Sequence, residues 1–299
     1  MKSVLVPAYA KVNLRLEVLG RRTDGYHELR TIFQTITLHD TLMLDTAHNT
    51  RIDLRIVGNA ALAGENGRDN LVYQALDELR RELRFKRGVR AVLIKRIPVG
   101  RGLGGGSSDA AAALIGLLRL SGKRMKAARL VEIASRLGAD VPFFLRGGRA
   151  LGVGRGDEIY PLPDAPRQPV VVVSPGDLAV HTKDAYQWLA QRLTKPPDPS
   201  KLWQFCALCW SPQGDALSND FEAAVFPRYS RLAAIKRELL RQGAAGASLA
   251  GSGSAVFGIF RNPAKARRAA RAFPKDQVFV CSTLSRAEYR RKLGGPDFA

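Results

Sequence analysis

Residues 98–113 read PVGRGLGGGSSDAAAA. This stretch follows a strand-like apolar run, Val89 to Ile97, and opens into an alanine-rich helical pattern over Asp109 to Leu120. Between them, five glycines occupy the seven positions from Gly100 to Gly106. Glycine admits positive φ and close approach of the backbone, and the free amides at a helix N-terminus carry partial positive charge. A strand, a glycine loop and a helix in that order make a cradle for an anion, most naturally a phosphate. Ser107 and Ser108 add hydroxyls suited to phosphate oxygens or to Mg²⁺.

Three other readings of such a loop compete with this one. A nucleotide-binding P-loop needs Gly-Lys before its Ser or Thr, and no Lys precedes Ser107, so that reading fails. Gly100, Gly102 and Gly105 satisfy G-x-G-x-x-G formally. However, a dinucleotide fold expects an acid closing the next strand about 20 residues on, and the segment here is helical. A Gly-Ser turn without a ligand is the bland alternative.

Upstream of the loop the chain is β-rich. Tyr9 to Val18, Thr31 to Leu44 and Ile52 to Val57 alternate as strands, and Asp69-Asn70 caps a helical pattern, LVYQALDELRREL. Downstream, Ala127 to Leu137 reads as a helix. FLRGGRALGVGRGDE, followed by Pro161, Pro163 and Pro166, reads as a domain boundary. Beyond it come a buried-type strand (PVVVVSP), helices over Lys183 to Arg192 and Arg231 to Arg241, a strand-turn-strand (ASLAGSGSAVFGIF) and a basic helix, Pro263 to Phe273. The expectation is an α+β protein of two domains, residues 1–157 and 158–299. A length of 299 residues, at roughly 150 per domain, agrees.

Composition narrows the function. With 47 Lys plus Arg against 27 Asp plus Glu, the formal charge is +20, concentrated in Arg80 to Arg101, Arg119 to Arg136 and Arg261 to Lys292. Such patches attract nucleic acid, acidic membrane or phosphorylated metabolites, and composition does not choose among them. Cys206, Cys209 and Cys281 are too few for a disulfide framework. The C-x-x-C in FCALCW lacks the second pair or His of a zinc site, so we assign no metal-ligating residue. Lys2 and SVLVPAYA mimic a short signal peptide, but Pro7 interrupts the run and LRLEV continues the same strand. No apolar stretch approaches the roughly 20 residues that span a bilayer, and the expected location is cytoplasmic.

GLGGGSSDAAAAL resembles the phosphate-binding motif of the GHMP kinases. Two further stretches agree: AYAKVNLRL with Lys11 and Asn13, and the late LAGSGSAVFGIF. Within that family, DGYHE (Asp24 to Glu28), LGADVPFF and NDFE (Asn219 to Glu222) are similar to the branch that phosphorylates the 2-hydroxyl of 4-diphosphocytidyl-2-C-methyl-D-erythritol, a step in non-mevalonate isoprenoid synthesis. The resemblance implies an ATP-binding domain beside a C-terminal domain, with the active site in the cleft between them and Mg²⁺ accompanying ATP. It makes Asp140 the base and Lys11 its charge-stabilising partner. Burial raises a carboxylate's pKa, whereas an adjacent Lys holds it ionised. It assigns ATP to Asn70, Lys95, Pro98, Gly100, Gly102, Leu103, Gly104, Gly105, Gly106, Ser107 and Ser108. The substrate goes to Asn13, Tyr26, His27, Thr182 and Tyr186, with Gly251, Ser252 and Gly253 as a second anion nest for its diphosphate.

Taken singly, these residues have plainer readings: Asp140 capping a turn, Lys11 and Lys95 on strand surfaces, Asn70 capping a helix, His27 structural, and residues 251–253 a hairpin turn. Two departures from the family stand out. HTKDAY around Thr182 and Tyr186 replaces smaller residues, and Arg101 lies inside the loop, where we read it as pointing to solvent because the amides already form the cradle. A GHMP kinase for mevalonate or homoserine is the nearest rival, opposed by DGYHE. A nucleic-acid-binding protein on a kinase-like scaffold is the rival outside enzymes. Neither a membrane nor a nucleic-acid partner is expected.

Overall fold

The structure is a computed structural model and describes residues 3–58, 67–191, 205 and 217–294. Cys206 and Cys209 lie outside the described residues. The chain begins with two long antiparallel strands, β1 (Ser3–Arg21) and β2 (His27–Ala47), paired along their whole length. At 21 residues β2 is long enough to serve two neighbours. Its later half pairs with β4 (Gly88–Ile94), and its earlier half with β5 (Arg149–Gly154). β3 (Ile52–Val57) runs parallel to β4, joined through the helix α1 (Leu71–Glu82), and the short β8 (Ser218–Asn219) lies parallel to β1. The resulting order is β3-β4-β2-β1-β8, with β6 (Glu158–Pro161) paired to β5.

A second, antiparallel sheet has the order β11-β7-β10-β9, from β7 (Pro169–Ser174), β9 (Gly246–Leu249), β10 (Val256–Ile259) and β11 (Gln277–Ser282). Helices α5 (Thr182–Ala190), α6 (Phe221–Val225), α7 (Ser230–Arg241) and α8 (Pro263–Ala270) accompany it. The first sheet carries α2 (Gly105–Ser121), α3 (Ala127–Leu137) and α4 (Val141–Arg146). The α+β expectation holds.

α2 is apolar nearly all round, as a helix enclosed by other elements must be: Ser108 through Leu117 are buried. It packs with α1, α4 and β1 in one core containing Leu42, Leu44, Leu76, Leu79, Phe143 and Phe144. A second core lies under the other sheet, around Val171, Val173, Phe221 and Phe260. A third joins the two sheets, bringing Ala10, Val12 and Ile36 together with Val170, Val172 and Phe257, and it includes Leu103 of the glycine loop.

Several local expectations need correction. The glycine-crowded stretch read as a boundary contains the β5–β6 hairpin, whose turn uses Gly154 and Gly156 at positive φ. The helix expected from Asp109 starts at Gly105. Burial of its alanine face outweighs the poor helix propensity of Gly and Ser in the first turn. The strand expected to Ile97 stops at Ile94, because the amides of Arg96 and Ile97 donate to the buried Asp40 carboxylate instead of to a neighbouring strand.

The C-terminal basic stretch was also under-read. It holds β11 and a further helix, α9 (Arg286–Leu293), closed by a Ser285/Glu288 capping box. That helix returns to the first body: Leu284 N donates to Thr35 O at 2.9 Å, and the Tyr289 hydroxyl donates to Phe144 O at 2.6 Å. Replacing Tyr289→Phe would leave that carbonyl unpaired in the core, so urea unfolding should show a loss of about 1–3 kcal/mol. No measurable loss would show that the tail helix is not held this way.

Candidate active site

Lys11 sits on β1 at an irregularity in its pairing with β2, where its amide donates to Leu103 O at 3.0 Å, so the strand is tied directly to the glycine loop. Its ammonium donates to Asn13 Oδ1 at 2.9 Å and lies 3.3 Å from Asp140 Oδ2. Asn13 is fixed in turn by Thr31 Oγ1 at 2.8 Å, which itself donates to Arg15 O. Lys11 is buried, whereas the Asp140 side chain is 31% exposed. Asp140 stands at the N-terminus of α4 without capping it, so the carboxylate is left for the cavity.

That cavity has a volume of about 760 Å³ and lies where the sheets and glycine turns meet. Its wall gathers Lys11, Asn13, Tyr26, His27, Gly102, Gly104, Ser107, Asp140, Thr182, Tyr186, Gly251 and Ser252 from six separate places in the sequence. The glycine loop is shaped by close contact. Gly102 has φ +77, and a Cβ there would stand 1.8 Å from Ala250 O; at Gly104, φ +71, it would meet Phe144 and Lys11. No larger residue fits either place.

The second glycine turn is held by buried polar groups. Asn219 Nδ2 donates to Leu249 O and Gly251 O, both at 2.8 Å, and Asn219 Oδ1 accepts from Phe221 N. Asp220 accepts from Val18 N and Glu222 from Leu249 N, so NDFE braces β1 against the second sheet. Thr182 Oγ1 and Ser252 Oγ are 3.0 Å apart, tying α5 to the same turn.

A row of rings lines another part of the wall. His27 stacks on Tyr186 with centroids 4.4 Å apart, and Tyr186 meets the edge of Phe221 at 4.8 Å. Tyr26 is exposed, with the Arg155 guanidinium 5.0 Å over its ring and Asp157 holding that guanidinium. Burial, reinforced by the Asp140 charge, pushes the Tyr186 phenol far above its ordinary value, so it stays a neutral hydroxyl. Burial and the neighbouring Arg21 lower His27 and keep its imidazole neutral at pH 7.

The remaining expected residues lie off this wall. Leu103 and Ser108 are buried, with the Ser108 hydroxyl partnerless. Pro98, Gly100, Gly105 and Gly106 continue the loop outside the cavity lining, and Gly253 lies behind Ser252 in the second turn. Asn70 caps α1 by accepting from Val72 N at 2.9 Å, and its neighbour Leu71 reaches the position of a Gly106 Cβ at 3.6 Å. Lys95 is not on a strand surface: it is buried, and its ammonium donates to both Asp40 and Asp109. Arg101 does not point to solvent either. It donates to Ser254 Oγ at 2.6 Å and to Gly176 O at 3.3 Å, reaching across to the second body.

Sequence reasoning missed Arg21, Arg155, Lys183, Thr31, Phe33 and Phe221 on the wall. Phe221 lies within NDFE, singled out for its resemblance, and Arg155 within the glycine-crowded stretch read as a boundary. Arg21 is the last residue of β1, three past the alternation read at Tyr9 to Val18, and no spacing signal marks Lys183.

The comparisons with known proteins agree with this geometry. The N-terminal domain model of the GHMP kinases matches residues 70–148, and the C-terminal model matches residues 202–278. The 4-diphosphocytidyl-2-C-methyl-D-erythritol kinase of Solibacter usitatus is 47% identical over 290 residues, 95% of this chain and 89% of the other. The chain belongs to the GHMP kinase family, in the 4-diphosphocytidyl-2-C-methyl-D-erythritol kinase branch.

The enzyme of the same name from Moorella thermoacetica is 41% identical over 280 residues, covering 90% of this chain and 94% of that one. A crystal structure of 4-(cytidine 5'-diphospho)-2C-methyl-D-erythritol kinase superposes with a TM-score of 0.76 at 36% identity, over 94% of this chain and 99% of the other. Homoserine kinase from Cytophaga hutchinsonii, at 21% identity and a TM-score of 0.71 over 95% and 96%, shares the GHMP fold. Among the described residues no helix is long and apolar enough to cross a membrane.

The contact between the two glycine turns makes a direct prediction. Gly102→Ala must push the loop off Ala250, and a displacement near 1 Å in a phosphate-transfer site costs roughly 100-fold in kcat/KM. Steady-state kinetics within threefold of the parent would show that the loop has room to spare.

Proposed function

We infer that this chain transfers the γ-phosphoryl group of ATP to the 2-hydroxyl of 4-diphosphocytidyl-2-C-methyl-D-erythritol. The observation that carries the reading is the Lys11–Asp140 pair at 3.3 Å, set in one cavity with Gly102 and Gly104 on one side of the chemistry and Tyr26, His27 and Tyr186 to hold a base. Phosphoryl transfer asks for a held triphosphate, an aligned hydroxyl and neutralised charge. The loop amides serve the first, Asp140 accepts the hydroxyl proton, and Lys11 offsets the charge that builds up beside it. Transfer is direct, without a phosphoenzyme.

His27 and the two tyrosines recognise the cytosine by stacking and by bonding its edge, while Gly251, Ser252 and Thr182 receive the substrate diphosphate. Gly100, Gly105, Gly106 and Ser108 shape the ATP cradle behind the cavity wall, and Asn70 sets the helix start beside it. Among the described residues no group of three His, Cys, Asp or Glu is placed to hold a metal, so Mg²⁺ is expected to arrive on ATP. The Ser107 hydroxyl on the wall and the partnerless Ser108 hydroxyl next to it are the oxygens that would complete its shell. Bound there, Mg²⁺ would neutralise charge on the transferred group. We place the reaction in the cytoplasm, and the division between the two domains just past the expected residue 157, after the β5–β6 hairpin.

A coupled ADP-release assay with the cytidyl substrate beside mevalonate and homoserine tests the assignment. Turnover is expected with the first alone, and its absence refutes the reading. Asp140→Asn should lower kcat by about 10²–10⁴-fold while ATP still binds, which equilibrium titration checks; undiminished turnover would remove Asp140 from the mechanism.

His27 supplies a pH signature. Its pKa is held below the ordinary imidazole value of about 6.5, so KM for the cytidyl substrate should stay level from pH 8 down to that value and rise only in more acid solution. The linked stability runs the same way: the unfolded chain takes up the proton first, so folding weakens as pH falls through the unfolded value. A KM that climbs already above pH 7 contradicts a neutral His27.

A further inference from the structure

Beneath the glycine loop lies a buried ionic triad that the reaction itself does not use. Asp40 occupies an inward position of β2, in line with Ile36, Leu38, Leu42 and Leu44, and is fully buried. One of its oxygens accepts from the amides of Arg96 and Ile97, and the other from the Lys95 ammonium. The same ammonium donates to Asp109 Oδ2 at 2.6 Å, on the second turn of α2. Lys95 stands at the entry to the glycine loop and Asp109 just past its exit. The Lys95 backbone amide is held by Val57 O at 2.8 Å, and a Cβ on Gly105 would lie 3.4 Å from its ammonium.

One cation therefore ties both ends of the loop to each other and to the sheet. We propose that Asp40, Lys95 and Asp109 are positioning residues that preset the glycine loop for the ATP triphosphate. The inference rests on the kinase reading above, and it takes Lys95 away from direct contact with the nucleoside.

The physical case has two parts. A loop with five glycines in seven positions loses much backbone entropy on ordering, and a fixed distance between its ends lowers the cost that ATP binding must meet. Burying three ionisable groups is also a poor route to stability, since apolar replacements of such clusters are often neutral or better. Burial and the nearby Asp40 raise Asp109 well above the ordinary carboxylate range despite Lys95. Burial opposes the charge on Lys95, but Asp109 and Asp40 together outweigh it and keep the ammonium. The second Asp109 oxygen is buried without a hydrogen-bond partner, so the carboxyl is held through its other oxygen by Lys95, with Asp40 beside it.

The test separates the tie from mere packing. D109A cuts the link to α2 but leaves Lys95 matched with Asp40, whereas D109N keeps the shape of the side chain and still offers Lys95 an oxygen. KM for ATP should rise at least tenfold in D109A and return to within threefold of wild type in D109N, with KM for the cytidyl substrate within twofold throughout. ATP KM unchanged in D109A, both KM values rising together, or no rescue by D109N would each overturn the proposal. If D109A does not fold, the charge-free variant K95M/D40N/D109L, which keeps an acceptor for the Arg96 and Ile97 amides, is read by the same ATP ratio. Wild-type enzyme without ATP-dependent turnover would overturn the kinase reading and this inference together; any other adverse result overturns the inference alone.

Discussion

The α-carbon of Gly102 faces the Ala250 carbonyl so closely that a single methyl group would stand 1.8 Å from that oxygen. Everything in the cavity depends on this approach, because it brings a loop of the first body against a turn of the second. Ala255 N donates to Arg101 O at 3.3 Å and Arg101 reaches Ser254, so the contact has hydrogen bonds on both sides of the glycine. Leu103, one residue on, sinks into the core shared by the two sheets. The cradle is rigid because its neighbours leave it no room, even though its composition is the most flexible in the chain. In phosphoryl transfer such placement matters more than any single reactive group, since catalysis there is mostly positioning and charge stabilisation.

The chemistry is set into that frame by short polar links. Lys11 is placed by its amide on the loop, and its ammonium by Asn13 and Asp140. Its ring neighbour Phe33, 5.4 Å away, gives the cation an apolar wall on one side. Asp140 comes from the start of α4, whose two phenylalanines fill the first core and fix where the carboxylate begins. Tyr186 joins the two functions of the cavity: it stacks on His27, and its hydroxyl feels the charge of Asp140. A base stacked there is therefore registered against the reacting centre by one side chain.

How much of this could be read in advance follows from the range of each signal. The strand β3 and the helices α1 and α3 are local patterns that the sequence shows almost to the residue, whereas β1, β2 and α2 run several residues beyond the segments read as strand and helix. Lys11 and Asp140 meet only through tertiary packing, so their pairing came from resemblance rather than spacing. Three features stayed hidden for a common reason. The hairpin at Arg149 to Pro161 looks like a linker because its glycines serve a tight turn; Arg101 looks solvent-bound because its partner is 153 residues away; Lys95 looks exposed because Asp40 is 55 residues away and Asp109 lies across the glycine loop. One clue was present for the last. Asp40 is the lone acid on the inward side of an otherwise apolar strand face, and a charge in that register requires a buried partner.

The large positive charge also divides once positions are known. Part of the basic content is bracing that acids cancel: Arg129 pairs with Glu82 and Glu132, and Arg136 with Glu78, so the second basic stretch zips α3 to α1. Exposed pairs of this kind add little stability each, so the zipper fixes the angle of α3 more than it strengthens the fold. Another part faces the cavity, where Arg21, Arg155 and Lys183 join Lys11 on a wall that carries Asp140 as its acid. Both ligands of the reaction are polyanions, and a cleft lined by one sign of charge raises their local concentration and capture rate. A few cations thus serve the cleft, while the paired arginines of α3 act as structure.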